Sequence, residues 1–212
     1  MAEAMEIYRE LGDAHMEGRL RLIEANLYGQ ESDPDSAVRC LIVASDLIDI
    51  DREPRLLLVA KQNLALGLAD LERYEEAEAL LPSAFELAKG TGNRLDLLRL
   101  RWTEARIDAG LGRFARAEMT LSDVKESFKG LGLPFDAALA GLELANLYSN
   151  QGRTREIKLL ALELVPVFAK NELHREALAA ITLFARAAAA EEATVEVVQK
   201  TLEALKKAAE RG

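Results

Sequence analysis

The sequence predicts an all-α fold, an α-solenoid of about five helical hairpins that each span 40 residues. Three observations carry this expectation. The tetrapeptide ANLY occupies Ala25 to Tyr28 and returns, 120 residues later, at Ala145 to Tyr148. Alanine recurs at the smaller spacing of 40, at Ala25, Ala65, Ala105, Ala145 and Ala185. Half of the 212 residues are hydrophobic, yet only 5% are aromatic and 30% are charged, the composition of packed helices.

Further columns keep the same register. Leu20, Ala60, Leu100, Ala140 and Ala180 are all apolar, and Leu27, Gly67, Ile107, Leu147 and Ala187 are apolar or small. Twelve residues beyond the first column stand Ala37, Ala77 and Ala117, then Ile157 and Val197. The word LRLIEA at 20–25 lies over LRWTEA at 100–105. The expected units are therefore 13–52, 53–92, 93–132, 133–172 and 173–212, forming one repeat domain over 1–212.

Taken in order, the start stands apart. Ala4, Ile7, Tyr8 and Leu11 hold the register of Ala44, Leu47, Ile48 and Asp51, so 1–12 reads as the tail of a second helix without its first. This start suggests a segment of a longer protein, or a helix packed on something else; an ordinary frayed N-terminal helix is the simpler alternative. The second unit shows the hairpin best. Val59, Leu64, Leu66, Leu68 and Leu71 recur at helical spacing, and LERYEEAEALLPSAFELA opens a second periodic run. Pro82 interrupts that run, where a proline removes a backbone hydrogen bond. KGTGN closes the second unit and KGLGLP the third, glycine-rich helix stops. After Ala185 the fifth unit continues as AAAAEEATVEVVQKTLEAL, without a glycine turn or an aromatic residue, and suits a polar terminal cap.

These residues resemble the tetratricopeptide repeat (TPR) family. Its hairpin carries a small residue and then an aromatic in the first helix, and an alanine with a large apolar partner in the second. ANLY supplies the first pair; LGRFARAEMTL (111–121) and LERYEEAEALL (71–81) supply the turn, the aromatic and the alanine. The 40-residue period exceeds the family's usual length of roughly 34 and brings HEAT-like hairpins into contention, against which the G-R-aromatic turn argues. The resemblance implies a right-handed TPR-like superhelix that binds a protein or peptide through its concave face. The array also resembles the C-terminal arrays of bacterial regulatory proteins, which implies a part in signal transduction or transcription regulation.

Candidate contact residues follow. The family comparison points one step past each repeating alanine, to Asn26, Leu66, Arg106, Asn146 and Arg186, of which four donate hydrogen bonds. A merely wet helix face gives the same row. In the third unit Arg99, Trp102 and Arg106 share one helical stripe by their i, i+3, i+7 spacing, and Ala109 and Gly110 extend it with almost no side chain, leaving room for a ligand. Trp and Arg are the residues most often found as interface hot spots. Arg94, Arg99, Arg101, Arg106, Arg113 and Arg116 outnumber Asp96, Glu104 and Asp108, so an acidic partner segment suits this unit. The family's own core Trp aligns with Arg101, one place before Trp102, so Trp102 faces either groove or core. Arg21/Glu24 and Arg101/Glu104 are expected to pair within their helices at i, i+3.

Other functions find little support. A net charge of −9 opposes binding to nucleic acid. No apolar run approaches the roughly 20 residues of a membrane span, and MAEAMEIYRE lacks a signal peptide's apolar stretch. Cys40 is alone, which suits a reducing, cytoplasmic setting and a packing role. His15 and His174 lack second ligands at metal spacing and read as solvated or capping residues, so no metal is expected. GTG and GLG follow no strand, so neither cradles a phosphate, and no catalytic residue or cofactor is assigned. A small-ligand sensor is the alternative to a protein-binding scaffold, and an enzyme ranks last. The N-terminal edge leaves room for a homodimer.

Overall fold

The computed structural model describes residues 2–169, 175–189 and 194–210. Among them the secondary structure is helical throughout: α1 (Ala2–Glu10), α2 (Ala14–Gln30), α3 (Pro34–Leu47), α4 (Pro54–Asp70), α5 (Tyr74–Thr91) and α6 (Arg94–Gly110) are followed by α7 (Phe114–Gly130), α8 (Pro134–Asn150), α9 (Thr154–Ala169), α10 (Arg175–Ala189) and α11 (Val195–Glu210). From Ala14 to Thr154 a helix begins every twentieth residue. Half the expected period is thus a structural step in its own right.

The turns set that step. Gly12, Ser32, Glu72, Gly92, Gly112, Gly132 and Gly152 all have positive φ, in register with one another at multiples of twenty. A left-handed residue directs the following N–H back to the helix just ended: Asp13 to Tyr8, Asp33 to Tyr28, Arg73 to Leu68, Leu133 to Phe128 and Arg153 to Tyr148, each at 2.9–3.0 Å. The next residue then starts a helix. Asp13 and Asp33 accept from the amides of Met16 and Ser36, Asn93 accepts from Leu95, and Pro34, Pro54 and Pro134 take the first helical positions. Ser32 and Glu72 hold the same conformation against the Cβ strain that glycine avoids.

One junction breaks the rule. Helix α3 stops at Leu47 and Ile48 is extended, so the chain reaches Pro54 by an irregular path. His15 holds this path in place: its Nδ1 accepts from the Asp49 amide at 3.1 Å, and its Nε2 lies 3.4 Å from Glu53 Oε2. The backbone of Ile48 passes so near Gly18 that a Cβ there would sit 3.0 Å from the Ile48 nitrogen. His15 is buried and accepts a backbone amide, so of the two expected readings, solvated or capping, it is not the solvated one. His174 lies outside the described residues. Pro82 does not break α5; it sits on an exposed face, where water can meet the carbonyl it leaves free.

The chain forms two compact units, Met1–Gly112 and Arg113–Gly212. In the first, α2 packs on α3, α3 on α4, α4 on α5 and α6, and α5 on α6. Ala25, Ala65 and Ala105 of the first alanine column are buried, as are Ala37 and Ala77 of the second. Leu22, Leu41, Leu64, Leu68 and Leu81 fill the space between helices that these small residues allow to approach. The forty-residue recurrence of alanine is therefore a recurrence of helix contacts.

In the second unit α7 packs on α8, and α8, α9, α10 and α11 each pack on the next. Helix α11 then packs back on α8, closing a ring of four. Leu164, Phe168, Ile181, Phe184, Val198 and Leu205 are buried in this unit, with the Phe135 ring edge-on to Phe168 at 5.5 Å. Helix α8 is enclosed: Ala137 through Ala145, Leu147 and Tyr148 are all buried. Its sequence FDAALAGLELANLY is apolar on nearly every side, as a helix with neighbours all round must be.

Candidate binding surface

Helix α6 carries the stripe singled out by spacing. Two of its three acidic residues are drawn inward, Asp96 and Asp108 at 5% and 2% exposed, and Glu104 is half-buried, while Arg94, Arg99 and Arg101 are exposed. Asp96 is met by Arg55 of α4 through two bonds, Nε to Oδ2 at 3.0 Å and Nη2 to Oδ1 at 3.3 Å. Burial of the two aspartates leaves a basic outer surface on a chain whose net charge is negative. Trp102 is half-buried one turn from Arg99. Arg106, one further turn along, donates to Asp70 Oδ1 of α4 at 2.5 Å. This bond ties neighbouring first helices together.

The room expected beside Gly110 is already filled. The Tyr74 ring lies so near that a Cβ at Gly110 would be 2.1 Å from Tyr74 Cε1. Glycine stands there because an aromatic ring from α5 needs the space, and a ligand does not enter. Of the remaining candidates in this unit, Asn26 is exposed and Leu66 half-buried.

In the second unit Arg186 is exposed and Asn146 half-buried. The amide oxygen of Asn146 is buried without a hydrogen-bond partner. One turn before it, Glu143 is buried and pairs with Lys206 of α11 at 2.5 Å. Sequence reasoning missed both Glu143 and Lys206. A carboxylate in the middle of the apolar stretch LAGLELANL of α8 was the available signal, because a buried charge requires a partner.

A second missed cluster joins α7, α8 and the turn before α9. Tyr148 donates to Glu118 Oε1 at 2.9 Å, Arg153 donates to both Glu118 oxygens at 2.7 and 3.1 Å and to Glu156 at 2.9 Å, and the guanidinium lies 4.1 Å over the Tyr148 ring. Arg153 holds the Glu118 and Glu156 carboxyls below the usual carboxylate range. Burial and the Glu118 carboxylate push the Tyr148 phenol up to about 12. The cluster binds helix to helix, and its groups already satisfy one another. Lys125 and Lys129 of α7 bridge likewise to Glu163 of α9, at 2.7 and 3.4 Å.

Cys40 packs against α2, where its thiol donates to Glu24 Oε2 at 3.3 Å beside the expected Arg21–Glu24 pair, which forms at 2.8 Å. Burial, reinforced by Glu24, pushes the thiol up to about 11. Iodoacetamide at pH 8 should therefore modify native Cys40 at least about a hundredfold more slowly than the urea-unfolded chain, read by mass spectrometry, since only the thiolate reacts. Among the described residues no group of three or more His, Cys, Asp and Glu is placed to hold a metal ion, and no helix is long and apolar enough to cross a membrane.

No family model and no curated protein matches the sequence. Solved structures do share the fold. A kinesin light chain-like protein of Podosopora anserina with nearly identical TPR-like repeats aligns at a TM-score of 0.59 and 20% identity, over 92% of this chain and 97% of that one. A single-substitution variant of it aligns at 0.60 and 20%, over 92% and 96%. The fold is thus that of TPR-like helical repeats, as ANLY and the G-R-aromatic turns led us to expect.

Proposed function

We propose that the chain is an interaction scaffold that binds a protein or peptide through its first helices, with α6 as the principal contact. The reading rests on the TPR-like fold and on one observation in particular: α6 buries Asp96 and Asp108 and presents Arg99 beside the half-buried Trp102. An aromatic anchor next to a planar cation suits a segment that carries carboxylates, because guanidinium grips carboxylate through two parallel bonds. Arg106 sits on the same stripe, and Asn26, Asn146 and Arg186 are the further candidates on other first helices. An acidic, extended partner segment is the ligand class this favours. The buried Cys40 thiol suits a reducing compartment, and we place the module in the cytoplasm as a regulatory adaptor of a larger bacterial protein.

The test is a selection of peptides from a random display library on the immobilised chain. Selected sequences should be rich in Asp and Glu, and Trp102→Ala should weaken their binding at least about tenfold, on the order of 2 kcal/mol, with helical circular dichroism retained. Peptides without acidic bias, or affinity indifferent to Trp102, would overturn the assignment. A thermal shift with metabolites and none with peptides would favour a small-ligand sensor instead.

A further inference from the structure

Helix α11 occupies α8 in a way that differs from the rest of the chain. In the first unit, first helix α4 packs on first helix α6; in the second, α8 receives α11, which stands in second-helix register. The seat is amphipathic. Val198, Leu202 and Leu205, at i, i+4 and i+7, are buried together with Thr201, while Gln199, Lys200, Glu203 and Lys207 are exposed. Lys206 adds the cation that meets Glu143. The fit is nevertheless imperfect. Glu143 is withdrawn from water beside Lys206, whose side chain is 32% exposed, and one turn away the Asn146 oxygen is buried without any donor. The unmet Asn146 oxygen costs free energy that a different occupant could recover.

We propose that α11 is an internal, displaceable ligand of α8, and that the surface beneath it takes a partner's amphipathic helix bearing a lysine one residue beyond its apolar stripe. Such a helix repeats the pattern of α11, meets Glu143 with its ammonium, and gains further if it offers a donor to Asn146. Binding is then regulated by competition. The tethered α11 acts at high effective concentration and lowers the apparent affinity of any helix added in trans. This site rests on the reading of the chain as an interaction scaffold, and it wants a basic helix where α6 wants an acidic segment.

A fluorescein-labelled synthetic peptide of residues 195–210, titrated by anisotropy, tests the proposal. The Lys206→Glu chain, whose own α11 meets Glu143 with like charge, should bind it at least about tenfold more tightly than the unchanged chain. The exchange Glu143→Lys with Lys206→Glu should abolish that gain. Equal binding by the unchanged and Lys206→Glu chains, or none by either, overturns the proposal. Hydrogen exchange on the unchanged chain gives a reading independent of any variant. Amides of α11 should exchange at least about tenfold faster than those of α9, whereas exchange of α8, α9 and α11 as one unit contradicts a displaceable helix. Peptides selected through Trp102 report separately on α6, so their binding to the Lys206→Glu chain shows which of the two readings has failed.

Discussion

Replacing Gly110 with alanine should destabilise the chain by about 2 kcal/mol, the cost of displacing the half-buried Tyr74 ring that occupies the space of the new methyl. The new methyl would sit 2.1, 2.3 and 2.4 Å from Cε1, Cζ and Cδ1 of Tyr74, so the ring must leave its place. Tyr74 packs against the main core of the first unit, and its movement opens the junction of α5 and α6. Against this stands the helix propensity of alanine, which favours the substitution by at most about 1 kcal/mol. The clash is the larger effect. Thermal unfolding should shift down by roughly 4 to 8 °C, at a few degrees per kcal/mol for a chain of this size. In a Tyr74→Ala background the same change should become neutral or stabilising, because the ring that opposed it is gone. A double-mutant cycle with no coupling between the two positions would contradict this account.

Glu118→Ala should cost about 2 to 3 kcal/mol, measured by urea unfolding. The carboxylate accepts from the buried Tyr148 hydroxyl and from two nitrogens of Arg153, and alanine leaves the hydroxyl without an acceptor. Glu118→Gln should cost less, since it restores a neutral acceptor to Tyr148 while losing the charge pair. The same cluster sets a pH dependence. Glu118 and Glu156 titrate lower in the fold than their ordinary value of 4.5, chiefly through hydrogen bonds from Arg153. Their contribution is complete above the unfolded value and is lost as pH falls below it through the folded values. Stability should decline on acidification from about pH 5, and less steeply in Glu118→Gln. At the other end, Tyr148 is raised from 10.0 to about 12. It therefore favours the fold as a neutral phenol, and that contribution is lost between about pH 10 and 12.

The sequence made the helical repeat legible because its alanines mark where helices touch. Ala25, Ala65, Ala105 and Ala145 are buried, and selection for small volume at a contact survives when larger neighbours vary in shape. The twenty-residue step was harder to see. Its left-handed position holds glycine at 12, 92, 112, 132 and 152, but Ser32 and Glu72 conceal it elsewhere, and the junction after α3 omits it. Side-chain surroundings were less legible still. Spacing put Arg99, Trp102 and Arg106 on one stripe but could not reveal that Arg106 reaches Asp70 or that Tyr74 fills the space at Gly110. His15 carries no local sign of burial; its partner backbone lies 34 residues away. The return of α11 onto α8 brings together Glu143 and Lys206, 63 residues apart, and nothing local in the sequence joins them.

The central functional claim concerns Trp102, the chain's one tryptophan, so its fluorescence reports on the proposed surface alone. Titration with an Asp- and Glu-rich peptide selected on the chain should shift or quench its emission saturably, with an affinity that falls at least about tenfold in Arg99→Ala and declines with added salt, as an exposed guanidinium–carboxylate contact requires. Saturable binding that leaves the indole emission unchanged and is indifferent to Arg99 would contradict it.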